Sequence, residues 1–306
     1  MMRVVVRRLL LGLLTVASVY TLTFLMVVVI PGNPFQSGDR TMAPEIVQAL
    51  RARYAMDNTW LYYWQFLAGA VRLDFGPSFT YNDWTCGQII ASALPISMTV
   101  GLLAMLVAVV VGVSIGTLGA VRRQGVCDVA GLGLVMLGVS VPTFVTGSLL
   151  LTVFGVWLRW APVGGWGTWA HLPLPALTLA LPYAAYIARL TRAAMIDALS
   201  TDFVRTALAK GATRRHAVLN HALKVAILPV LSFLGPATAQ AMTGSFVVEK
   251  VFGVPGLGQH FVNAALNRDV GLIMGTVLVF STVLVGFNLT IDLLYAWVDP
   301  RIAEAV

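Results

Sequence analysis

The residues best placed to act on another molecule form one basic, glycine-interrupted stretch: Asp202-Phe203-Val204-Arg205-Thr206-Ala207-Leu208-Ala209-Lys210-Gly211. Ser200 or Thr201 can cap a short helix there, and Asp202 in its first turn suits the positive end of the helix dipole. Phe203, Val204, Ala207 and Leu208 make one narrow apolar face. Gly211 follows Lys210 as a left-handed stop would. Thr213 can cap a second helix running through Arg214, Arg215, Ala217, Val218 and His221 to Lys224. The chemistry of such a stretch is recognition, with no bond made or broken. Its small residues at 207, 209, 211 and 212 admit close approach by another protein. An amphipathic linker resting its arginines on lipid phosphates fits the same periodicity, so spacing alone leaves two readings.

Other reactive types are sparse. His171, His216, His221 and His260 all lie at or beyond the ends of apolar segments. No His-Glu-x-x-His pattern and no paired intramembrane acids occur, and the spacing of five between His216 and His221 does not put them on one α-helical face. No Gly-x-x-x-x-Gly-Lys-Ser/Thr phosphate loop is present, so the chain cannot hold ATP in that way. Neither a catalytic residue nor a metal site is expected, and no cofactor on this chain.

The elements that position these residues are membrane helices. The 306 residues have a mean hydropathy of +0.84, and 11% are charged, against about 25% in a soluble domain. A hydrocarbon core needs about 20 apolar residues of helix. Six segments qualify: 9–30, 94–121, 129–158, 172–188, 225–248 and 271–296. The first follows Arg3, Arg7 and Arg8; its apolar run is too long for a cleaved signal peptide, and it is read as a span. Arginine and lysine set the orientation. With the N-terminus inside, thirteen cationic residues lie inside, from Arg3, Arg7 and Arg8 through Arg122, Arg123 and the 189–224 stretch to Arg301. The other seven, Arg40, Arg51, Arg53, Arg72, Arg159, Lys250 and Arg268, lie outside. That bias puts both termini in the cytoplasm and explains the net charge of +7 without nucleic acid. Cys86 then falls outside and Cys127 inside, so they cannot pair.

Within the spans as drawn, Asp292 is the single charged residue, and it lies near the inner end of the last. A charge at a helix centre costs about 2.5–3.5 kcal/mol or more, so ion-coupled transporters display embedded acids or bases. Their scarcity argues against proton or sodium coupling. Milder polarity lines several helices: Ser140, Thr143 and Gly147; Pro236, Gln240 and Thr243; Ser281, Asn288, Asp292 and Tyr295. These faces are either helix-packing glue or a weakly polar translocation path. Gly112, Gly116 and Gly119 read as a packing face. Pro229 and Pro236 interrupt the fifth span as a kink or a gate. In the 32–93 excursion, Pro44 can start a helix through Ile46, Leu50 and Tyr54, and Trp60, Tyr62, Tyr63, Trp64 and Phe66 form an aromatic cluster suited to the interface.

The run from Asp202 to Ala212, with His221-Ala222-Leu223-Lys224 and Ile227-Leu228-Pro229, resembles the coupling region of type I ATP-binding-cassette importer permeases. It is closest to the B-type permease of dipeptide, oligopeptide and nickel importers. The other marks of that branch follow in order: Pro31-Gly32-Asn33-Pro34, Asp74-Phe75-Gly76-Pro77-Ser78-Phe79, and Leu94-Pro95 opening the second span. Then come Ser140-Val141-Pro142-Thr143-Phe144, the run Val251-Phe252-Gly253-Val254-Pro255-Gly256-Leu257-Gly258, and Asp292-Leu293-Leu294-Tyr295 leading to Asp299-Pro300-Arg301. Arg205-Thr206-Ala207 stands where the wider family has Glu-Ala-Ala, as in the peptide branch. Asn33 replaces a common aspartate, and Asp57-Asn58-Thr59 replaces Asp-x-Pro.

The resemblance implies an all-α integral membrane protein with six transmembrane helices and a large extracytoplasmic loop after the first. It divides the chain into residues 1–93, a core over 94–297 with a coupling loop at about 189–224, and a cytoplasmic tail over 298–306. Asp202, Phe203, Arg205, Thr206, Ala207, Lys210, Gly211, Arg214 and Arg215 become the ATPase-coupling residues. Ser140, Thr143, Pro236, Gln240, Thr243, Ser281 and Asn288 become candidates for the path. The implied partners are a second homologous permease, two ATP-binding subunits (or one bifunctional chain) that hold ATP and Mg, an extracytoplasmic solute-binding protein and membrane lipid. The implied place is the bacterial plasma membrane. The branch carries dipeptides, longer peptides, nickel complexes, glutathione and haem; a secondary transporter and an intramembrane enzyme rank behind.

Overall fold

The structure is a computed structural model, and it describes residues 2–29, 36–37, 40–41, 45, 48, 58–81, 83–243 and 245–298. Helix dominates. The one strand pairing among the described residues outside isolated bridges is Gln36–Ser37 (β1) with Arg40–Thr41 (β2). The helices are α1 (Met2–Val29), α2 (Thr59–Val71), α3 (Cys86–Val121), α4 (Val126–Ser140), α5 (Thr143–Leu150), α6 (Pro173–Leu199), α7 (Asp202–Ala209), α8 (Arg214–Ala226), α9 (Leu228–Thr243), α10 (Phe246–Phe252), α11 (Leu257–Leu266) and α12 (Val270–Val298).

Three helices among the described residues are long and apolar enough to cross a membrane: Val6–Val29, Cys86–Val121 and Val270–Ile291. Helices α8 and α9 make a fourth if they count as one span bent by 52°. The bend falls at Ile227, where Pro229 has no N–H to continue the ladder of α8. The expected third span is two helices. Val141 and Pro142 break it, and a π-helical turn over Leu151–Trp157 closes it. The fourth is longer than its apolar core, because α6 runs on through Arg189, Arg192 and Asp197 to Leu199. Helix α3 begins at Cys86, so Leu94-Pro95 lies inside it and does not open it. Pro44, Ile46, Leu50 and Tyr54, through which a helix is expected, lie outside the described residues.

The chain forms two compact units. The first comprises residues 1–97 and 255–286. Its core gathers Tyr20 and Phe24 of α1, Phe66 of α2, Phe75, Cys86, Ile89 and Ile90, Leu257, Leu272 and Met274. The aromatic cluster of α2 divides in two. Phe66 is buried and Tyr63 packs on Tyr20 and Phe24, while Trp60 and Trp64 stay exposed. Asn58 starts α2 by accepting from Leu61 N–H at 3.1 Å. Asp269 is buried, and its carboxylate receives Ser78 Oγ–H together with the N–H groups of Phe79 (2.8 Å), Thr80 (3.0 Å) and Leu272 (3.1 Å). One carboxylate thus pins the 78–80 loop to the start of α12. Cys86 is fully buried in this core.

The second unit comprises residues 98–254 and 287–306. Helices α3 and α6 pack backbone to backbone. A Cβ added at Gly112 would lie 2.8 Å from Ala184 O, and one at Gly116 would lie 2.5 Å from Ala188 O. The small-residue face of α3 is therefore a packing face, as its spacing predicts.

Candidate functional site

The coupling stretch folds as two helices joined by a glycine turn. Helix α7 is capped at Lys210 in a Schellman arrangement: Gly211 N–H donates to Leu208 O at 3.0 Å and Ala212 N–H to Ala207 O at 3.1 Å. Gly211 has φ +88°, the left-handed region expected from its place after Lys210. Beyond its own chain neighbours, no atom lies within 4 Å of a Cβ built there, so the requirement is backbone conformation alone. Thr213 caps α8 through its side chain, accepting from His216 N–H at 3.3 Å. Thr201 occupies the N-cap of α7, but its hydroxyl turns back to donate to Ala198 O, so it makes no side-chain cap.

The apolar face of α7 resolves into two parts with opposite destinations. Val204 is 1% exposed and joins a small core with Met195 and Ala198 of α6 and Ala217, Val218 and Ala222 of α8. Phe203 and Leu208 are 44% and 43% exposed. One residue seats the helix and two large apolar side chains face outward. Asp202, Arg205, Thr206, Lys210, Gly211, Arg214 and Arg215 are all exposed, and Ala207 is half-buried. Asp202 and Arg205 form a solvent-exposed pair at 3.7 Å. Arg214 is fixed, since its Nη2 donates to Val121 O, at the end of α3, at 3.2 Å. The result is an outward-facing, cationic and partly apolar knob on a rigid seat.

An ion pair unmarked by any local sequence pattern lies beside this knob. Arg192 Nε meets Asp128 Oδ1 at 2.6 Å and Nη2 meets Oδ2 at 2.8 Å. Asp128 opens α4 and Arg192 sits on α6, both beyond the ends of the expected apolar spans. Arg192 and the Gln124 N–H, in that order, hold the Asp128 carboxyl down at about 2.

His216 and His221 come together, contrary to their spacing on an α-helix. Residues 218–222 form a π turn, which puts positions five apart on one face, and the two rings lie 5.6 Å apart edge to face. His216 Nδ1 is engaged with Asn220 Nδ2 at 3.1 Å. Among the described residues no cluster of three or more His, Cys, Asp or Glu is suited to a metal.

The candidate path residues are scattered along their helices. Pro236 and Gln240 share an exposed face of α9, opposite Ala237, Thr238 and Ala241, which are buried; Thr243 is half-buried. Asn288 lies on α12, and a Cβ at Gly235 of α9 would meet its Oδ1 at 3.1 Å. That oxygen is buried without a hydrogen-bond partner. Ser281 Oγ donates to Val277 O within its own helix. Ser140 ends α4 and Thr143 starts α5, with Pro142 between them, so they do not share one continuous helical face. Buried Glu249 of α10, which accepts from Ser245 Oγ, lies one residue past the expected fifth span and was not anticipated there.

Long apolar helices mark a membrane protein, and the exposed basic knob is its candidate contact surface. Residues 108–304 match the family described as binding-protein-dependent transport system inner membrane component. The chain is 41% identical over 305 residues to the oligopeptide transport system permease protein OppB of Escherichia coli K12, covering 99% of each chain. It is 42% identical over 306 residues to that of Haemophilus influenzae, again covering 99% of each. To the dipeptide transport system permease protein DppB of Bacillus subtilis it is 37% identical over 289 residues, 94% of each. In fold it is similar to a chain of the methionine ABC transporter MetNI, with TM-score 0.57 at 20% identity, over 69% of this chain and 97% of that one. The chain belongs to the family of binding-protein-dependent transport system inner membrane components, and within it to the B-type permeases.

Proposed function

We propose that this chain is one of two permeases in an ATP-driven importer of di- or oligopeptides, and that α7 is the element through which ATPase subunits act on it. The observation that carries the reading is the division of α7: Val204 seats it, while Phe203, Leu208 and the surrounding cations face outward. A partner with an apolar groove and an acidic rim fits that surface. Peptide cargo is carried over from the oligopeptide and dipeptide permeases to which the chain is 41% and 37% identical over nearly its whole length.

In this reading the chain crosses the bacterial plasma membrane six times, with both termini cytoplasmic. Helices α1, α3 and α12 cross whole, α6 crosses with its second half protruding, and the broken α4–α5 and bent α8–α9 segments complete the count. The second permease covers the exposed face of α9, where Pro236 and Gln240 contribute to the path with Thr243 and Asn288; Ser140, Thr143 and Ser281 are the further candidates. Two ATP-binding subunits, or one bifunctional chain, hold ATP and Mg, and an extracytoplasmic solute-binding protein delivers cargo.

The test is uptake into vesicles of the reconstituted complex. Dipeptides, longer peptides, a nickel complex, glutathione and haem are compared with and without ATP. ATP-dependent accumulation of peptides is expected. Accumulation of another cargo alone overturns the peptide assignment, and uptake without ATP overturns the importer reading.

A further inference from the structure

The exposed knob does not stand alone; its seat is closed into a ring by charge. Helix α6 leads through Ser200 and Thr201 into α7, and Gly211 turns the chain into α8. The first residue of α8, Arg214, donates to Val121 O at the end of α3. The turn that follows α3 is held by Gly125 N–H on Arg122 O at 3.0 Å and by Gln124 N–H on Asp128 Oδ2 at 2.9 Å. Asp128 then returns the ring to α6 through the bidentate pair with Arg192.

The pair is sheltered and tightly fitted. Asp128 is 3% exposed and the Arg192 side chain 25%. A Cβ at Gly119 would lie 3.0 Å from Asp128 Oδ1, so α3 presses a bare backbone against the carboxylate. A bidentate arginine–carboxylate pair fixes direction as well as distance, which a single apolar contact does not. The low Asp128 value of about 2 keeps the pair ionised across the neutral range.

We propose that Asp128 and Arg192 are the positioning pair that makes the ends of α3, α4 and α6 move as one body when α7 is displaced. Without it, a push on α7 bends the 200–214 segment and is lost before it reaches the spans. The inference rests on α7 being the coupling element, as proposed above.

The experiment uses the complete reconstituted importer and reads three quantities: ATPase subunit content, ATP hydrolysis, and peptide imported per ATP. Each single variant, Asp128→Asn or Arg192→Gln, leaves one sheltered group unpaired, which disturbs assembly for reasons unrelated to transmission. The decisive variant is therefore the double neutral one, Asp128→Asn with Arg192→Gln, which strands no charge. It is expected to assemble with normal ATPase content and to hydrolyse ATP, with import per ATP reduced about tenfold. The exchange Asp128→Arg with Arg192→Asp is expected to recover part of that loss. Normal import per ATP in the double neutral variant overturns the proposal. Failure of that variant to assemble overturns it too, by making the pair a folding element. Gly211→Leu is measured in parallel: normal coupling in that variant removes the premise about α7, whereas uncoupling there with normal coupling in the double neutral variant defeats the positioning pair alone.

Discussion

At the scale of residues, Gly211 carries the sharpest expectation. Its φ of +88° costs an L side chain roughly 1–2 kcal/mol, and nothing else crowds the position. Gly211→Leu therefore inserts and folds but presents α7 wrongly. ATPase content by copurification, or import per ATP, should fall; normal values for both remove α7 as the coupling element. Phe203→Ala and Leu208→Ala test the outward face. Truncating large exposed anchors should weaken ATPase binding by about 1–2 kcal/mol each while leaving thermal stability of the isolated permease unchanged. Val204→Ala should do the reverse, because Val204 is buried. The pH behaviour of Asp128 follows from its pairing. A carboxyl lowered from 3.8 to about 2 contributes stability that is complete above its ordinary value and is lost as pH falls toward 2. The melting-temperature gap between wild type and Asp128→Asn should hold from about pH 8 to about pH 5 and close only below about pH 4. The glycine stop and the Thr213 cap were legible in the sequence because both are local rules. The Asp128–Arg192 pair spans 64 residues, and no local pattern announces it. The same limit applies to α7, where periodicity groups Phe203, Val204 and Leu208 but cannot say which one points home.

At the scale of elements, hydropathy found the helices and misjudged their continuity. The apolar runs of α3 and α12 are uninterrupted; the expected bounds of α12 match closely, whereas α3 starts at Cys86, about two turns before the expected Leu94. Over 129–158 and 225–248 the same apolar average hides a break at Pro142 and a bend before Pro229, because averaging weighs side chains and ignores a missing N–H. The π turn at 218–222 was equally hidden, and with it the meeting of His216 and His221. The bend of 52° is attributable to Pro229. Pro229→Ala restores a donor that can continue the ladder of α8 into α9. Spin labels at Leu219 and Ser232, both exposed, report the result by pulsed electron resonance. The label separation should move toward the roughly 20 Å of a straight helix between those positions. An unchanged separation assigns the bend to packing around Ile227 instead.

At the scale of the whole molecule, the expected topology needs probes other than the natural thiols. Cys86 is fully buried, so its silence toward a reagent reports the core of the first unit and says nothing of sidedness. The charge bias predicts the Arg122–Val126 turn inside and the 158–171 segment outside. Both regions offer exposed positions: Val126 in the first and Trp169 in the second. Trp169→Cys and Val126→Cys, each in a background with Cys86 and Cys127 replaced by serine, convert sidedness into a labelling assay on intact cells. Neither substitution empties a core, and Val126 precedes Asp128 without contributing a side chain to its pair, so import should persist as a check on folding. An impermeant maleimide should label position 169 and leave position 126 unlabelled until the membrane is opened. Labelling of 126 from outside, with 169 protected, inverts the orientation; α7 would then face away from the compartment that holds ATP, and the coupling reading would fall with it.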